Sequence, residues 1–185
     1  MTLKEELLLM LHFVGPKVVS KTRVMKYAYF LEQLLNSGDM GFRPHFYGPY
    51  SEQVSDTLGV LAFVGLVEQK RTALGMGTGG YEKVLYEYSL TKDGSAVAEA
   101  LVAQHPKRAK RIESAVVKLR AASDGYTYME LSCAAKAHFL LRDEGRMTVS
   151  KIVDKAKTFN WKLDPREVKR CAKVLVTMNL AQASN

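Results

Sequence analysis

The first 90 residues carry a fixed order of hydrophobic periods. Three are helical and three are extended, and a Gly-rich loop separates the last two. Thr2 followed by Glu5 has the spacing of a capping box, and Leu3, Leu7, Met10 and Leu11 then share one face of a helix over 2–13. Gly15-Pro16 ends it. Val24, Tyr27, Ala28, Leu31, Leu34 and Leu35 predict a second helix from about Ser20 to Asn36. Residues 42–47 read as a short extended segment, a candidate to pair with the later hairpin, and Gly48-Pro49-Tyr50 as a turn. Ser51 caps a third helix to about Val64, with Val54, Leu58, Leu61 and Ala62 inward and Gly65 as its left-handed closing residue. Leu66 to Lys70 and Tyr81 to Leu90 read as strands around the loop Gly75–Gly80.

The second half is helical throughout. Thr91 caps a helix to about Ala103, in which Gly94 is a weak point. His105-Pro106 opens a basic helix over 106–122 with the stripe Ile112, Val116 and Leu119, which offers either a dimer surface or core. A segment over 126–142 is apolar on most sides. Thr148 caps the next helix. The last helix has the clearest start, with Asp164 as N-cap, Pro165 at the first helical position and Glu167 three residues after the cap. The expected fold is mainly α with a small β wing. A winged helix-turn-helix domain over 1–90 is followed by a basic helical domain over 91–185, whose last two helices form a candidate second helix-turn-helix.

Charge placement separates the halves. Residues 1–90 hold nine Lys/Arg and nine Asp/Glu, so the remaining 18 basic and 10 acidic residues, and the whole net charge of +8, fall in residues 91–185. A basic half favours polyanions, double-stranded DNA first among them. Cys133 and Cys171 fall on helical segments as small buried apolar residues, the usage of a reducing cytosol, with a disulfide between them as the minor alternative. The apolar run at Leu7–Leu11 follows Lys4, Glu5 and Glu6 and lacks a cleavage site, and no run of about 18 apolar residues occurs. A cytoplasmic protein without a membrane partner is expected.

Two stretches carry a family resemblance. One is Ser20-Lys21-Thr22-Arg23-Val24-Met25-Lys26-Tyr27-Ala28-Tyr29-Phe30-Leu31-Glu32. The other is Phe46-Tyr47-Gly48-Pro49-Tyr50-Ser51-Glu52, leading through Leu58 and Leu61 to Gly65-Leu66-Val67-Glu68. With the exit Tyr88-Ser89-Leu90-Thr91-Lys92-Asp93-Gly94, residues 17–90 resemble a group of prokaryotic winged-helix proteins. The resemblance implies a regulatory or DNA-associated role. Related patterns in antitoxin-like proteins imply contacts with protein instead.

The candidate nucleic-acid contacts follow from helix geometry and charge. A recognition helix lays its N-terminal residues against base edges, which selects Gln53 on the third helix as a reader of adenine. Glu52 and Asp56 oppose phosphate there, and that helix has no Lys or Arg. Lys70 and Arg71, with Lys83, surround the wing tip. The run Lys107, Arg108, Lys110 and Arg111 is the densest positive patch, and Arg166, Lys169, Arg170 and Lys173 face away from the apolar stripe of the last helix. Arg23 and Lys26, one turn apart, are further phosphate candidates. The loop Gly75–Gly80 formally matches GxGxxG, but a strand-like run follows it where a nucleotide site needs a helix, so it reads as a wing tip.

The four histidines have no metal spacing, and no GxSxG, Walker, HExxH or CxxC motif occurs. The expected protein is therefore a non-enzymatic DNA-binding regulator without metal or cofactor, with a homodimer as the form that matches paired half-sites. A protein-interaction module, antitoxin or adaptor, is the competing expectation.

Overall fold

A computed structural model of the chain describes residues 1–38, 40–76, 80 and 82–182. It is mainly helical, with one small antiparallel sheet. In chain order the elements are α1 (Leu3–Val14), β1 (Val18–Val19), α2 (Lys21–Leu35), α3 (Glu52–Phe63), β2 (Val67–Met76), β3 (Glu82–Leu90), α4 (Lys92–Gln104), α5 (Pro106–Ser123), α6 (Tyr128–Glu144), α7 (Val149–Ala156) with a 3-10 turn at Lys157–Phe159, and α8 (Pro165–Thr177).

Side-chain caps start most helices where the sequence places them. Thr2 and Glu5 close a reciprocal capping box on α1, as Thr127 and Glu130 do on α6. Ser51, Thr91, Thr148 and Asp164 accept from first-turn amides of α3, α4, α7 and α8. The helix expected over 126–142 starts and ends two residues later, with its first turn set by the Thr127 cap.

The sheet order is β1-β3-β2. Val18 and Val19 pair with Tyr88 and Glu87, and β2 pairs with β3 from Val67 opposite Leu90 outward. This corrects the expected pairing of 42–47 with the hairpin. β1 already covers the second edge of β3, and Arg43 instead exchanges both backbone hydrogen bonds with Tyr50 at 2.9 Å. The loop Gly75–Gly80 lies only partly within the described residues, and β3 follows it.

The buried core runs without interruption from Leu7 to Met178. α1 packs on α3, α4 and α5, and α2 packs on α5 and α6, so the two central helices of the first half bury themselves against the second half. Gly94 is explained by this packing. A Cβ there would fall 1.9 Å from the Leu66 carbonyl oxygen, so only glycine lets the first turn of α4 lie on the turn between α3 and β2.

Candidate functional site

Basic side chains in this fold divide by where they end. On α5, Arg108 turns inward and donates to the Glu6 carboxylate on α1, through Nε at 2.9 Å and through Nη2. The pair is only 25% and 11% exposed. Arg111 donates to the Leu35 carbonyl at 3.1 Å. That carbonyl ends α2, where the helix dipole favours a cation. Lys110 pairs with Glu113 at 3.0 Å on the surface. Lys107 is exposed, and none of the ion pairs among the described residues includes it.

α2 behaves similarly. Arg23 donates to the Tyr126 carbonyl at 2.7 Å. Lys26 is buried and donates to the Pro49 carbonyl at 2.6 Å. Burial, with the positive charge of Lys136 added, pushes its ammonium down to about 7. Both expected phosphate ligands of α2 are therefore committed to the interior.

α8 is the opposite case. Val168, Cys171, Val174 and Leu175 are buried, and Arg166, Lys169, Arg170 and Lys173 stand exposed on the other side. Their i, i+3, i+4, i+7 spacing makes one continuous basic stripe. Arg170 reaches Glu130 on α6. Among the described residues no ion pair engages Arg166, Lys169 or Lys173.

The hairpin projects from the core, and β2 is exposed from Glu68 to Met76. Lys70 and Lys83 are exposed, while Arg71 is bridged to Glu82 across the strands. On α3, Gln53 is exposed, with its amide over Gly41, where a Cβ would lie 3.3 Å from it. The outer face of α3 carries Glu52, Asp56, Val60 and Phe63, the last 91% exposed.

The structure adds one arrangement for which the sequence has no pattern. The loop 45–51, which contains the Phe-Tyr-Gly-Pro-Tyr-Ser motif, is held from three sides. Lys26 binds the Pro49 carbonyl, Ser132 donates to the Tyr47 carbonyl, and Trp161 Nε1 donates to the His45 carbonyl at 2.6 Å. Gly48 has φ +95°, and a Cβ there would meet Lys136 at 3.0 Å. The motif thus clamps the first half to α6 and to the segment before α8. Tyr50 packs against His45, while Phe46 and Tyr47 remain exposed at 68% and 51%.

His138 is buried, and its Nδ1 pairs with the Tyr29 hydroxyl at 2.8 Å. Burial, with Arg142 adding, pushes its pKa down to about 4, which keeps it neutral. No group of three His, Cys, Asp or Glu among the described residues is placed to hold a metal ion. No helix among them is long and apolar enough to cross a membrane. No family model matches the chain, and no curated protein matches it.

Proposed function

We propose that the protein binds duplex DNA as a regulator, and that the outer face of α8 supplies the main phosphate contacts. The observation that carries this reading is the stripe Arg166, Lys169 and Lys173, exposed and outside every ion pair among the described residues. Each neutralised phosphate releases counterions, so such a stripe binds polyanions with a steep salt dependence. Residues 1–90 are read as a winged helix-turn-helix. The order α1-β1-α2-α3-β2-β3, with β3 between β1 and β2, supports this reading. In it, Lys70 and Lys83 on the projecting hairpin add backbone contacts. The resemblance of residues 17–90 to prokaryotic winged-helix proteins points the same way.

A second reading rests on α3. A recognition helix with Glu52 and Asp56 in its first turns and no Lys or Arg is poorly suited to a phosphate-lined groove. Its exposed Val60 and Phe63 fit a protein partner better. The first experiment is binding to a random double-stranded fragment across a salt series. A steep fall of log affinity with log salt supports the DNA reading. No binding at low salt overturns it and leaves the protein-interaction reading, to be tested by whether Phe63→Ser abolishes partner capture.

A further inference from the structure

Cys133 on α6 and Cys171 on α8 meet where the two helices pack. The two thiols lie near enough to each other to shift one another's protonation. Both also line one cavity of about 90 Å³, together with Tyr47, Met129, Ser132 and Lys136. Tyr47 and Met129 are 51% and 53% exposed, so the cavity opens at the surface beside the loop 45–51. Its volume exceeds that of a water molecule, roughly 30 Å³ in the liquid, and so admits a small peroxide. Two buried thiols on adjacent helices that share one cavity of that size are not ordinary core packing.

We propose that Cys133 and Cys171 are a dithiol that a small peroxide oxidises to an intramolecular disulfide joining α6 to α8. Cys171 is the attacking group. The neighbouring Cys133 thiol favours its thiolate, and the charge of Arg170 adds to this, against the cost of burial and the charge of Glu167. The Cys171 thiolate attacks one peroxide oxygen, the O–O bond breaks, and the departing hydroxide takes a proton to become water. This leaves a sulfenic acid on Cys171. The sulfur of Cys133 then attacks the sulfur of Cys171, and the hydroxyl leaves as a second water with the thiol proton. Two thiols and one peroxide give one disulfide and two waters. Because the resolving thiol lines the same cavity as the attacking one, disulfide formation outruns further oxidation of the sulfenic acid. The bond closes a loop of about 38 residues, so the oxidised chain melts about 10 °C higher. The inference holds whether or not α8 binds nucleic acid.

The test treats the reduced full-length chain with one equivalent of hydrogen peroxide under native conditions. The expected product has no free thiol, has lost two hydrogens by intact mass, yields a peptide pair linked through Cys133 and Cys171, and reverts with dithiothreitol. In the single-thiol variants, Cys133→Ser is trapped by dimedone at Cys171, while Cys171→Ser leaves Cys133 unlabelled. Two thiols surviving excess peroxide, oxygen adducts in place of the link, or disulfides only between chains would overturn the proposal. Dimedone labelling of Cys133 with none of Cys171 would overturn the assignment of the attacking thiol.

Discussion

The basic run of α5 and the basic stripe of α8 are similar in charge density and opposite in use. Arg108 and Arg111 on α5 end on Glu6 and on the Leu35 carbonyl, and so tie α5 to α1 and α2. Arg23 and Lys26 on α2 do the same towards Tyr126 and Pro49. On α8, Arg166, Lys169 and Lys173 end in solvent. The difference lies in what each helix faces. α2 and α5 are packed between the halves of the molecule, so their cations meet buried carbonyls and carboxylates that would otherwise lack partners. α8 packs with one side only, and its second side is left to whatever approaches from outside.

The largest stability effect expected is that of the most deeply inward cation. With the folded Lys26 at about 7 against an ordinary value of 10.5, both folded and unfolded chains carry the proton below pH 7, and the burial penalty is fully present. Between about pH 7 and 10 the folded chain has released a proton that the unfolded chain still holds, so stability rises with pH. The rise amounts to about 3 kcal/mol between pH 7 and 9.5. Lys136 is lowered as well and adds in the same direction. Tyr88, raised to about 12 by burial, opposes it only above pH 10. Urea denaturation at both pH values should show Lys26→Met flattening this rise. Parallel pH profiles for the variant and the native chain would mean that Lys26 carries its proton in the fold as it does in water.

Next in size is Arg108→Ala, which strands the mostly buried Glu6 carboxylate and should cost about 2 kcal/mol. A double-mutant cycle with Glu6→Gln isolates the pair. Coupling near zero would place Arg108 with the surface charges and erase the contrast with α8. Duplex binding by Arg108→Ala should match that of the native chain.

Much of this contrast was legible in advance and part was not. Caps and periodicity are local, so Thr2, Ser51, Thr91, Thr148 and Asp164 announce their helices from neighbouring residues alone. The outward stripe of α8 was legible for the same reason, because a helix with one clear apolar face has only one other side to show. The fate of Arg108 was not, since it depends on Glu6, 102 positions away in the chain. Strand pairing failed similarly. Residues 42–47 read as the extended segment available to the hairpin, and only the tertiary arrangement gives the free edge of β3 to Val18-Val19. Gly94 read as a defect because its reason, the Leu66 carbonyl, lies on another element.

The smallest stability effect should accompany a large change in binding. Lys169→Glu with Lys173→Glu alters two exposed side chains on a helix whose packed side is untouched, so stability should move by less than about 0.5 kcal/mol. Affinity for duplex DNA at low salt should fall by about two orders of magnitude, and the salt slope should lose about 2. Net charge alone would give the same loss wherever two lysines were reversed. The control is therefore Lys107→Glu with Lys110→Glu, which makes the same charge change on exposed positions of α5. If the face of α8 is the contact, the α5 variant retains most of the affinity and its salt slope. If both variants weaken binding equally, the protein attracts DNA by its overall charge, and α8 has no special part in it.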